Sequence, residues 1–133
     1  MGGRPLIILD THAMFWWLDR PRRLGPEAQQ AIRHADRIGI ASISLWEFAG
    51  QVERGRIRLP RPALEWIEAA LSFPRVELLP LTPAIAVTAA RMGSAIPGDP
   101  ADRLIAATAI EMHAPLVTKD TRLHGIPTLQ AIW

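Results

Sequence analysis

Leu6-Ile7-Ile8-Leu9-Asp10-Thr11 is the stretch that decides how this chain is read. Four aliphatic residues in a row, bounded by Pro5 and closed by an acid, fit a short strand covered on both faces, as in a parallel sheet. Ile38-Gly39-Ile40-Ala41, Val76-Glu77-Leu78-Leu79 and Leu116-Val117-Thr118 repeat the pattern, and residues 127–132 offer a last short strand. Helical patterns lie between them. Thr11 is placed to cap a helix to about Asp19, followed by a basic loop from Pro21 to Pro26. Further helices are expected over Glu27–Ala35, from Ser44 to Arg54 with Gly55 as the stop, from Pro62 to about Ser72, and over Pro83–Met92. Asp99 then caps a helix rich in small residues that runs through His113 and packs closely on the sheet. Strands alternating with helices predict the α/β class, a central parallel sheet with helices on both faces. With 133 residues and no repeat, low-complexity segment or linker, a single domain over 1–133 is expected.

Charged residues make up 21% and hydrophobic residues 49%, the balance of an ordinary globule. The chain has no cysteine, which excludes disulfides and zinc-thiolate sites and fits a reducing cytoplasm. The apolar start is interrupted by Asp10 and His12 and lacks a small-residue cleavage site, so it is not read as a signal peptide. No apolar run approaches the length of a membrane span. The net charge is only +2, yet Lys119 is the sole lysine and every other basic residue is arginine. Guanidinium forks match phosphate. A GC-rich coding bias would give the same composition.

Four acidic segments carry the chemistry: Leu9-Asp10-Thr11-His12, Ser44-Leu45-Trp46-Glu47, Asp99-Pro100-Ala101-Asp102-Arg103 and Thr118-Lys119-Asp120. Each falls at a strand end or a helix start, the edge of an open α/β sheet where ligands bind. Each also has a local explanation. Asp10 and Asp120 follow strands, where Asp commonly serves turns. Ser44-x-x-Glu47 has the form of a capping box. Asp99 fits an N-cap, with Pro100 at the first helical position and Asp102 favouring the dipole. Arg103 opposes that dipole and calls for a carboxylate or phosphate partner. Gathered on one edge, the acids repel: a pair at ~4 Å in an effective dielectric of ~20 costs about 4 kcal/mol. A divalent cation that takes oxygen ligands would remove the cost.

The set, in this order and spacing, resembles the PIN-domain ribonucleases, and within them the VapC-type toxins of bacterial toxin–antitoxin pairs. The likeness also takes in Trp16-Trp17, Leu79-Pro80-Leu81-Thr82, the run Gly98 to Ala109 and the terminal Trp133. It implies a PIN fold, endonucleolytic RNA cleavage with Mg2+ or Mn2+, a cytoplasmic protein, an antitoxin partner, and a homodimer or a larger assembly with the antitoxin. It carries the family's acids onto Asp10, Glu47, Asp102 and Asp120, with Asp99 as a fifth member that caps, supports Asp102 or touches metal through water. Asp10 and Asp102 are the expected primary metal ligands. Thr11, Arg103 and Thr118 are candidate substrate contacts. Relatives often carry a His-rich loop where this chain has Ser94-Ala95-Ile96-Pro97-Gly98, so no His is assigned there.

Other residues have two readings. Ser44 is expected as an N-cap. Arg54, Arg56, Arg58 and Arg61, with Arg20, Arg22 and Arg23, are either a solvated face, a hold on RNA backbone, or a surface for an acidic antitoxin segment. Of the adjacent Trp16 and Trp17, one is assigned to the core and one to a surface, while Trp46 and Trp66 are both assigned to the core. Three other readings compete. A haloacid-dehalogenase-like phosphatase wants a second Asp two residues after its nucleophile, where this chain has His12. A receiver domain wants an acceptor Asp after the third strand, where this chain has Pro80. An inactive RNA-binding module would be expected to lack one of the acids.

Overall fold

The computed structural model describes residues 5–93, 96 and 99–133. The sheet has five strands in the order β3-β2-β1-β4-β5, all pairs parallel. They are β1 (Leu6–Leu9), β2 (Arg37–Ala41), β3 (Val76–Leu79), β4 (Leu116–Val117) and β5 (Ala131–Ile132). The helices are α1 (Thr11–Asp19), α2 (Pro26–His34), α3 (Ser42–Glu53), α4 (Ala63–Leu71), α5 (Pro83–Met92), α6 (Pro100–Glu111) and α7 (Thr121–His124), with a 3-10 turn at Pro21–Arg23. The 3-10 turn lies in what the sequence suggested was a basic loop, and α7 falls where the sequence suggested no element. Of the loop expected at Ile96-Pro97-Gly98, Pro97 and Gly98 lie outside the described residues, as do Ser94 and Ala95.

The period of two along each strand divides the core. Ile7 and Leu9 of β1 and Ile38 and Ile40 of β2 face Phe15, Phe48 and Trp66 from α1, α3 and α4. Ile8, Ala41, Leu79 and Leu116 face Ile105, Ala106 and Ala109 of α6 and Leu123 of α7. Helices therefore cover both faces, and the alanines of α6 allow the close approach expected of that helix. Phe48 stacks on Trp66 with centroids 4.5 Å apart. Gly25 is required where the last residue returns: a Cβ there would collide with the Trp133 carbonyl, which accepts the Ala28 N–H at 3.0 Å.

Two packing assignments are corrected. Trp66 is buried, but Trp46 is 67% exposed, because α3 turns it away from the sheet. Trp16 and Trp17 are both half-buried, so neither is the core residue expected of the pair: Trp17 packs its ring against Phe73, and Trp16 lines the cavity described next.

From β1 the chain crosses to β2 on one side of the sheet and later returns to β4 on the other. The strand ends of β1 and β4 are thus a topological switch point, where an open sheet leaves a crevice. Leu9 pairs with Val117, and the Asp10 N–H donates to the Val117 carbonyl at 3.1 Å, so the residues that follow both strands emerge side by side.

Candidate active site

Asp10, Glu47, Asp99, Asp102 and Asp120 all line one cavity of about 410 Å3 at this switch point. Three of them do cap helices. Asp10 accepts the Ala13 N–H at 2.8 Å, Asp99 the Ala101 N–H at 3.0 Å and Asp120 the Arg122 N–H at 3.0 Å, each through Oδ1. Capping uses one oxygen of each carboxylate, so it holds the group rigidly and still presents the acid to the cavity. The cap of α1 is Asp10 and not Thr11, a correction that follows from the strand ending at Leu9.

The freed Thr11 hydroxyl, buried, donates instead to Glu47 Oε1. This overturns the Ser44-x-x-Glu47 capping box. The helix α3 starts directly after β2 at Ser42, with Ala41 at its cap position. Ser44 and Glu47 are therefore inside the helix. The Ser44 hydroxyl is buried with no hydrogen-bond partner among the described residues, so it is no N-cap. Glu47 faces α1 and the cavity, a placement that only the contact between α1 and α3 creates.

Burial is the main force on Asp10, Glu47 and Asp102. It raises the Asp10 carboxyl above its usual value, opposed by hydrogen bonds from Thr118 and from the Ala13 N–H. It raises Glu47 to about 7, opposed by the Thr11 hydrogen bond and helped by the negative charges of Asp102 and Asp99. Asp102 is also raised, first by burial and then by Asp120 and Asp99, against the pull of Arg122. Asp120 goes the other way, because its hydrogen bond with Arg122 favours the charged form.

Sequence reasoning missed Arg122. Its Nη2 lies 2.6 Å from Asp120 Oδ2 and 3.0 Å from Asp102 Oδ2, so it is the cation spanning two of the acids. Its only sequence signal was its position two residues after Asp120, at the start of a helix. Arg103, the cation singled out instead, does not line the cavity and donates to the Gly93 carbonyl at 3.3 Å. Thr118 is buried and does not line the cavity either; its hydroxyl accepts the Asp120 N–H at 3.1 Å and so fixes the turn. Gln51, Lys119, His12 and Trp16 complete the wall.

The sequence profile of the PIN domain matches residues 7–129. The chain belongs to the PIN-domain family. All five acids fall inside the matched span. This PIN domain is 45% identical over 129 residues to Ribonuclease VapC22 of Mycobacterium tuberculosis, covering 96% of this chain and 98% of that protein. Its fold is similar to VapBC2 from Rickettsia felis bound to a DNA fragment from their promoter, with a TM-score of 0.71 at 19% identity over 95% of this chain and 96% of that one. A toxin–antitoxin complex from Klebsiella pneumoniae shares the fold with a TM-score of 0.66 at 20% identity, over 92% and 94% of the two chains. The phosphatase and receiver readings fall with the family match. Among the described residues no helix is long and apolar enough to cross a membrane.

Proposed function

We propose that this PIN domain, a single domain over 1–133, is a Mg2+- or Mn2+-dependent endoribonuclease and the toxin of a toxin–antitoxin pair. The observation that carries the reading is the convergence of five carboxylates on one cavity at the switch point of the sheet. The ribonuclease named among its relatives and the toxin–antitoxin complexes sharing its fold support it. The complexes also support pairing with an antitoxin, and a cytoplasmic location and a homodimer are part of the same proposal.

The donor set fits a cation that binds oxygen. Among the described residues no three carboxylate or imidazole groups form a preformed cage. The acids instead surround a cavity with room for water, which suits a small cation that keeps part of its hydration and takes one or two carboxylates. Asp10 and Asp102 would hold it, with Asp120 directly or through water and Asp99 more remotely. When bound, such a cation neutralises charge on the phosphate and favours ionisation of water. Glu47, held by Thr11, orients the attacking water and accepts its proton, or else supports a second cation. Lys119 and Arg122 face the same space and offset the charge of the phosphate. Attack of water on phosphorus forms the new P–O bond and breaks the bond to the 3′ oxygen, which takes a proton from solvent, leaving a 5′-phosphate and a 3′-hydroxyl.

Purified protein free of antitoxin should cut RNA with Mg2+ or Mn2+ and stop on addition of EDTA. Asp10→Asn and Asp102→Asn should each slow cutting on the order of 100-fold or more. Either variant cutting as fast as the parent sinks the assignment.

A further inference from the structure

The acid cavity opens beside a second cavity of about 450 Å3, and His12 and Trp16 line both. The second cavity is rimmed by Arg20 at the end of α1, by Arg23 of the 3-10 turn, and by Arg56 and Arg58 from the loop after α3. All four are exposed, and none has a carboxylate partner among the described residues. The fold has selected these four from the arginines near in sequence. Arg54 lies back over Gly50, Arg61 lines a separate cavity, and Arg22 lines neither of the two.

Trp16 stands at the junction. Its ring is 5.5 Å from His12 and 5.7 Å from Trp133, centroid to centroid, which fixes its plane. Arg23 from one cavity and Lys119 from the other each lie 5.9 Å from its centroid.

We propose that this second cavity is the binding groove for the single-stranded RNA flanking the scissile phosphate. The inference rests on the ribonuclease reading of the adjoining site. Phosphates leaving the acid cavity pass His12 and enter a zone of unpaired guanidinium groups, whose planar forks match phosphate oxygens. Trp16 gives a base a face to stack on, and the neighbouring cations turn to the backbone as it does so. A positive groove interleaved with aromatic rings is how single strands are held without sequence preference. An acidic peptide would use the arginines but leave the ring at the junction without a role, so the observations favour RNA.

The test is the binding of a fluorescein-labelled, 12-nucleotide single-stranded RNA by fluorescence anisotropy in EDTA, where nothing is cut. Arg56→Gln/Arg58→Gln should bind at least about tenfold more weakly, with a log Kd against log salt slope smaller by about 1.4, the value for two lost phosphate contacts on a single strand. Both side chains are exposed, and the double variant should melt with the parent. Trp16→Leu should weaken binding about tenfold with the salt slope unchanged, as loss of stacking requires. Unchanged affinity and slope in the double variant would overturn the groove. So would unchanged RNA binding together with lost binding of a labelled Glu-rich decapeptide, which would give the surface to an acidic protein segment. Adding Mg2+ or Mn2+ to the same samples separates the two ideas. A parent that binds but never cuts removes the ribonuclease reading and leaves the groove, whereas a parent that cuts while the double variant binds normally removes only the groove.

Discussion

Metal-free protein should lose stability as pH rises, opposite to the usual behaviour of carboxylates in ion pairs, and Glu47 should supply a measurable share of the loss. Burial and the nearby acids raise Glu47 from 4.5 to about 7. A carboxyl whose folded value is raised contributes stability that is fully present below the unfolded value and lost as pH rises through the folded one. The window is therefore pH 4.5 to 7. At about 1.4 kcal/mol per pH unit, Glu47 alone accounts for about 3 kcal/mol. For a domain of this size that corresponds to roughly 10 °C in Tm. Asp10 and Asp102 are raised as well and add to the same trend. Asp120 and Glu77 are lowered, by Arg122 and Arg37, so their contributions are lost only as pH falls below the usual carboxylate range. The two groups therefore act in separate windows. The perturbation is Glu47→Gln, whose amide oxygen still accepts the Thr11 hydroxyl. Urea unfolding in EDTA between pH 5 and 8 should show a falling parent and a variant that falls about 3 kcal/mol less. Saturating Mg2+ should restore the parent at pH 8 and do less for the variant. Equal pH slopes for parent and variant, or a variant less stable than the parent at pH 8, would refute the view that Glu47 is held charged against burial.

Two further outcomes follow from the same cavity. Thr11→Val should strand the Glu47 carboxyl and cost about 1–3 kcal/mol by urea unfolding, with the pH dependence of RNA cutting displaced upward because the bond that favours the charged form is gone. Arg122→Gln should change stability by less than about 1 kcal/mol, since its pair with Asp102 and Asp120 is 44% exposed on the arginine side. The same variant should show a larger rise in Tm on addition of Mg2+ than the parent, because the guanidinium no longer competes for those two carboxylates.

The amino-acid sequence by itself determined the class and most of the elements. The aliphatic runs ending at Leu9, Ala41 and Val117 became strands covered on both sides, the run ending at Leu79 became an edge strand that leaves Leu78 exposed, and the segments between them carry helical periods. Local chemistry also marked Asp10, Asp99 and Asp120, because an acid after a strand or before Pro has little choice of position. Tertiary structure decided what short windows cannot contain. Ser44-x-x-Glu47 had the form of a cap, but β2 carries the chain straight into α3, and the helix starts early enough to put both residues inside it. Trp46 looked like core by composition, yet which face of α3 meets the sheet depends on that same starting point. Arg103 and Arg122 both stood near acids in sequence, and only the packing of α6 beside α7 turned Arg122, not Arg103, across Asp102 and Asp120. The physical reason is common to all three. Backbone propensity and capping act over a turn or two of chain, whereas side-chain direction at a site is set by the phase of each helix, which is fixed by the strand that precedes it and by the elements packed against it.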